Sequence, residues 1–170
     1  MEEVTSILLD FLREIGLQVR LGDLPDDTFL PGVQVDHGSL VVDLARLRYP
    51  GDLLHEAGHL ALREPARRAE TGAQMGGDAI GGGQTVNDAG EEMGAIAWSW
   101  AAVIYLKLDP EVVFHPAGYR GGARAIIENF SSGRYIAVPL LQWMGLTADP
   151  VRAAELGVDP YPHMLAWLRS

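Results

Sequence analysis

In the stretch "GDLLHEAGHLAL", Gly51 to Leu62, two histidines stand four residues apart and a glutamate directly follows the first. On a helix, residues at that spacing share one face, with Cβ atoms about 5–6 Å apart. His55 and His59 are therefore placed to converge two imidazole nitrogens on one ion, at roughly 2.0–2.1 Å each for zinc. Glu56 falls about a quarter-turn round the helix. It is displaced too far to join the pair, yet close enough to reach a water on the metal. Two ligands with one general base beside an open coordination position is the arrangement of metal-assisted hydrolysis. Ala57 and Gly58 are small enough for a second helix to approach closely, and Leu53, Leu54, Leu60 and Leu62 supply apolar anchorage.

A hydrolytic zinc site takes a third protein ligand. Leu60, Ala61, Leu62 and Arg63 follow His59, so that ligand comes from elsewhere in the chain. "NDAGEEMGAIAWSW" offers Glu91 and Glu92 in the first turns of an otherwise apolar helix. Carboxylates beside so much apolar surface need a partner, although acids near a helix N-terminus also complement the macrodipole. Glu92 shares a helix face with Ala95, Ile96, Ser99 and Val103, and Glu91 shares one with Gly94, Ala95, Trp98 and Ala102. Glu92 is the favoured third ligand, Glu91 the alternative, and Asp88 a more distant one. For a donor to the transition-state oxyanion, "FHPAGYRGG" offers His115, Tyr119 and Arg120, with His115 and Tyr119 the candidates. His37 reads as an exposed turn residue. Trp98, Trp100, Trp143 and Trp167 read as core residues on helices.

The elements that must position these groups read as α+β. Ile7, Leu8, Phe11, Leu12 and Ile15 recur at helical spacing, so residues 3 to 15 are expected to form an amphipathic helix ended by Gly16. "LQVRL" reads as a strand, and "GVQVDHGSLVVDL" as a hairpin turning on "DHGS". Its second strand, around Leu40–Asp43, is a candidate edge for pairing with an extended peptide. Pro50 and Gly51 open the helix of the histidine pair, which stops at Glu64-Pro65. Residues 65 to 86 include "GAQMGGDAIGGGQT", with six glycines and no periodicity. They read as a mobile surface loop, a candidate flap over the cleft. No Gly-Lys-Ser/Thr follows these glycines, which argues against a phosphate loop. A long helix is expected from about Asn87 or Asp88 to Leu108, then shorter ones near 120–130, 134–145, 150–156 and 161–169.

Composition bounds the function. The 170 residues suit a single domain, 1–170, with 48% hydrophobic and 21% charged residues. A net charge of -10 repels phosphate backbones and argues against a nucleic-acid partner. Without cysteine there are no disulfides, thiolate ligands or cysteine nucleophile, so a metal must be held by His, Asp or Glu. "MEEVTSILLDFLREIG" has acids where a signal peptide needs basic residues. The most apolar run, Met93 to Leu106, is 14 residues, too short to cross a bilayer. The expectation is a soluble, cytoplasmic protein with no membrane partner.

"HEAGH" with a downstream glutamate on a second helix resembles the glutamate-ligand branch of the zincin metallopeptidases. The segment "FLREIGLQVRLGDLPDDTFLPGVQVDHGSLVVDLARL…LLHEAGHLAL" is similar in layout to the ImmA/IrrE-type peptidases, a likeness covering about residues 5 to 106. The resemblance implies a minimal zincin fold: a small antiparallel or mixed sheet, the HExxH helix, a second ligand helix and a helical C-terminal part. It implies zinc held by His55, His59 and Glu92, a water-activating Glu56, and a peptide or protein substrate. This chain departs from the family where "GAIAWSWAAVIYLKLDP" replaces its Ala-Asn…Phe-Ala pattern and Leu-Leu-Met-Pro ending. Ala95 and Ile96 likewise stand where the thermolysin type places the Asp of its Glu-x-x-x-Asp. The alternative is a catalytically inactive zincin-like module that binds a metal or a partner.

Overall fold

The computed structural model describes residues 2–72 and 86–170. The apolar spacing near the N-terminus yields α1 (Glu2–Glu14), which buries Leu8, Leu9, Phe11 and Leu12 and leaves Ile7 at the rim. Gly16, at φ 95, ends it in a conformation that a β-carbon would resist. β1 (Gln18–Leu21), β2 (Val33–Asp36) and β3 (Ser39–Val42) follow. His37 and Gly38 both take positive φ (46 and 74), the two-residue turn that matches the twist of a hairpin.

The three strands form one mixed sheet in the order β1-β3-β2. β2 pairs antiparallel with β3, Val35 opposite Leu40, whereas β1 pairs parallel with β3, Val19 beside Leu40. β3 alternates half-buried and buried residues, with Leu40 and Val42 at 0% exposure against the core. This arrangement corrects the expected peptide-binding edge. β3 is the central strand and its backbone groups are used on both sides, so it has no free edge to offer.

α2 (Asp52–Ala61) carries the histidine pair. Residues 65 to 70, expected as loop, are instead the short helix α3 (Pro65–Glu70), with Pro65 in its first turn, where the missing N–H costs nothing. The glycine-rich flap reading falls on residues 73–85 and lies outside the described residues. α4 (Val86–Tyr105) runs behind α2. The two helices meet where both sequences are small. A β-carbon on Gly58 would lie 3.0 Å from the Ala95 carbonyl oxygen, and one on Gly94 would lie 2.7 Å from Leu62 Cδ1. Ser99 Oγ donates to the Leu54 carbonyl across this contact, at 3.1 Å. Leu53, Leu54, Ala57 and Leu60 from α2, with Ala95, Trp98, Ala102 and Val103 from α4, are wholly buried in one core.

The chain then makes 3-10 turns at Pro110–Val112 and Tyr119–Gly121, and three helices: α5 (Ala123–Ser131), α6 (Val138–Trp143) and α7 (Pro150–Leu156). The helix expected over 161–169 does not form. That segment hooks back on the body instead: Met164 bridges to Thr147, Leu165 N donates to Leu146 O, and Arg169 N donates to Ala61 O. Its apolar residues serve this docking, with Trp167 edge-on to Phe11 at 5.0 Å. Of the four tryptophans, Trp98 and Trp100 are buried as expected. Trp143 is 71% exposed, because α6 is short and presents it outward beneath the Arg169 guanidinium. Among the described residues no helix is long and apolar enough to cross a membrane.

Candidate metal centre

α2 is buried along most of its length, and the residues left half-buried are His55, Glu56 and His59. With the leucine face packed against α4, this polar stripe meets Glu92 of the neighbouring helix. His55, His59 and Glu92 each bring one ligand atom to a common point, all within 4.8 Å of one another. His59 Nε2 lies 3.3 Å from His55 Nε2 and 3.2 Å from Glu92 Oε2. His55 Nε2 lies 3.8 Å from the same carboxylate oxygen. Two ligands at about 2.0–2.1 Å from one tetrahedral ion stand about 3.3 Å apart. The three atoms therefore fit three corners of a zinc site, and two imidazoles with one carboxylate suit its chemistry.

Glu91 faces elsewhere. Its Oε1 accepts from the Arg63 guanidinium at 2.8 and 3.1 Å and stands 3.6 Å from His59 Nδ1. Arg63 in turn donates to Thr71 Oγ1 at 2.9 Å. Glu91 thus faces the ring nitrogen of His59 that points away from the cluster, at ion-pair distance. The Asp88 side chain lies outside the described residues.

Electrostatics match a site that wants positive charge. In the metal-free protein, burial disfavours a proton on His59. Hydrogen bonds to Glu91 and Glu92 outweigh it and push its pKa up to about 10. His55 is pushed down to about 4 by burial and by the charge on His59, against the pull of Glu92. One imidazolium is thus held where a cation would sit. Burial raises Glu92, but its hydrogen bond to His59 prevails, with smaller contributions from His55, His59 and Arg120, and holds it below the ordinary carboxylate range. Glu56 is raised, first by burial and then by Asp52 and Glu92, while His59 opposes. It makes no hydrogen bond or ion pair with any described residue, which leaves its carboxylate available.

The two loop candidates for oxyanion stabilisation sit apart from the ligand atoms. The Tyr119 hydroxyl is 3.3 Å from His55 Nδ1, the ring nitrogen opposite the cluster, and the two rings meet edge-on at 5.5 Å. Burial, followed by the charges of Glu92, Asp52 and Glu56, pushes this phenol well above its ordinary range, so it stays protonated. Its backbone is left-handed at φ 54, as is Arg120 at φ 51, a conformation costing on the order of 1–3 kcal/mol per residue. His115 instead meets Asp52, with Nε2 3.0 Å from Oδ1, and stacks on Tyr49 at 4.0 Å. Asp52, buried at the start of α2, is raised by that burial against its bond to His115. His37, by contrast, is exposed in its turn, 2.6 Å from Asp36.

Sequence reasoning missed Arg63 and Asp52. Arg63 carried a legible signal, since it stands one helical turn beyond His59. Asp52 carried none, because its partner is 63 residues away. No family model, curated protein or solved structure matches this chain.

Proposed function

We propose that this protein is a zinc-dependent peptide hydrolase of the zincin type. One observation carries the reading: three ligand atoms at tetrahedral-edge spacing stand beside a half-buried glutamate that has no hydrogen-bond or ion-pair partner among the described residues. His55, His59 and Glu92 would hold the ion, leaving a fourth position open, as hydrolytic sites do and structural zinc sites do not. Zinc, when bound, supplies Lewis acidity toward water and the scissile carbonyl. Glu56, without a partner among the described residues and raised above the ordinary carboxylate range, takes the proton of the attacking water and returns it to the departing amine. The resemblance of "HEAGH" and its upstream hairpin to the ImmA/IrrE-type peptidases supports a peptide or protein substrate.

The test is to measure zinc content and hydrolysis of a peptide library by untagged protein, alongside Glu56→Gln. Stoichiometric zinc in both, with hydrolysis reduced by at least roughly 10²-fold in the variant, is the expected result. Zinc uptake without hydrolysis by the parent protein would instead mark a metal-binding module that does no chemistry. Activity that survives Glu56→Gln would remove the assigned base.

A further inference from the structure

The loop from Val112 to Tyr119 is fastened along the first turn of the metal-binding helix at successive points. At Gly51 the two backbones touch, and a β-carbon there would collide with the Val112 carbonyl. One residue on, Asp52 Oδ1 and His115 Nε2 are 3.0 Å apart, with Tyr49 stacked on the imidazole at an interplanar angle of 10°. Asp52 Oδ2 and His115 Nδ1 are buried and have no hydrogen-bond partner among the described residues. With the proton on Nε2 and donated to Asp52, both orphans are acceptors, and an unfilled acceptor is tolerated better than an unfilled donor. Gly118 packs against this imidazole, its β-carbon position 3.2 Å from His115 Cε1. Beyond that anchor, Tyr119, Arg120 and Gly121 all take left-handed backbone, φ 54, 51 and 81. This turn sets the Tyr119 hydroxyl 3.3 Å from His55 Nδ1.

A strained turn persists where its surroundings over-determine it, and it marks a place where a side chain is aimed. Here the aim is at a ring nitrogen of His55, the one turned away from His59 and Glu92. When His55 ligates through Nε2, its proton sits on Nδ1 and needs an acceptor. The phenol oxygen is the acceptor within reach. We infer that Tyr119 is a positioning residue for the ligand His55, and that the Asp52–His115 pair is the anchor that holds Tyr119 there. Tyr119 therefore does not serve as oxyanion donor. The inference rests on the zinc reading above and assigns to Asp52, His115 and Tyr119 one shared task, namely pre-orienting an imidazole before the ion arrives.

The experiment measures zinc affinity, not turnover, by competition against a chromophoric chelator at pH 7. Tyr119→Phe removes the acceptor and keeps the ring. Its zinc dissociation constant should rise about 10-fold or more, with the metal-free melting temperature unchanged. The visible spectrum of its cobalt-substituted form should shift as well. Asp52→Ala should also weaken zinc binding, while Asp52→Asn, whose amide oxygen still accepts from His115, should stay close to the parent. That pair separates the hydrogen bond from the charge. Tyr119→Phe binding zinc within twofold of the parent overturns the inference, the more so if its turnover is lost, which would make the phenol a catalytic donor. A parent protein that takes up no zinc would remove the metal reading itself.

Discussion

Glu91 and Glu92 are neighbours in sequence that serve different partners: Glu92 Oε2 lies 3.2 Å from His59 Nε2, while Glu91 Oε1 takes the Arg63 guanidinium at 2.8 Å. Consecutive helical residues point about 100° apart, so one helix start sends two carboxylates in different directions. Glu91 also stands 3.6 Å from His59 Nδ1, so a carboxylate faces each ring nitrogen of that imidazole.

This division predicts unequal consequences for removing the two acids. Glu92→Ala should abolish stoichiometric zinc, because two imidazoles alone make a weak site. Glu91→Gln keeps an acceptor near Arg63 but loses the charge facing His59 Nδ1, and should weaken zinc about 10-fold to 100-fold. Elemental analysis after dialysis against a weak chelator distinguishes the two. Equal loss in both variants would contradict the division.

Zinc should also stabilise the fold, since the ligands come from two helices that separate on unfolding. At about 100 times its dissociation constant, a ligand specific to the native state adds about 2.7 kcal/mol. At roughly 2–4 °C per kcal/mol for a chain of this size, the melting temperature should rise by about 5–10 °C. The rise should vanish with EDTA and be missing in His59→Ala.

Gly58 tests the helix contact that brings the ligands together. Its β-carbon position is 3.0 Å from the Ala95 oxygen, and that neighbour is backbone, which cannot swing aside. Gly58→Val gains helix propensity but forces α2 and α4 apart, and overpacking of this kind costs about 1–3 kcal/mol. The variant should melt roughly 2–12 °C lower. It should also bind zinc more weakly, because Glu92 moves away with α4. A variant that melts lower but binds zinc normally would show that the spacing of the helices is not what sets the site.

Much of this was legible because it is local. The i, i+4 histidines and the small residues between them announce a helix with one polar stripe and a close neighbour. "DHGS" announces a turn that needs positive φ at His37 and Gly38. What was not legible depends on residues far apart. The parallel pairing of β1 with β3 takes away the edge that the hairpin alone would leave free. The apolar spacing of residues 161–169 suits a helix. Yet its hydrogen bonds go to Leu146 and Ala61, partners that no periodicity reveals. The choice between Glu91 and Glu92 was half legible. Small residues lie within one turn of either glutamate and suit both, so the helix face does not separate them, whereas in the structure Arg63 occupies Glu91.

Asp43 gives the scaffold a pH dependence independent of the metal. It is only 3% exposed and directly follows β3, at the start of the loop leading to α2. Its carboxylate accepts from Leu24 N at 3.0 Å, Ala45 N at 3.0 Å, Arg46 N at 3.3 Å and Arg46 Nη1 at 2.7 Å. The backbone bond from Leu24, followed by the side-chain bond from Arg46, holds its pKa below the ordinary aspartate value. A carboxyl depressed by folding binds its proton more readily in the unfolded chain. The stability it contributes is therefore present in full above the unfolded pKa of about 3.9. That stability is lost as the pH falls through the lower folded value. Asp43→Asn retains an acceptor oxygen but neither the charge nor the second acceptor, and should melt several degrees lower at pH 7. As the pH drops below about 4, parent and variant should begin to converge, because the unfolded parent takes up a proton first, and the gap closes once the folded carboxyl is neutral too. Melting curves of both proteins between pH 7 and pH 3 provide the check. A gap that stays constant across that range would assign the loss to packing and not to the ionised carboxylate.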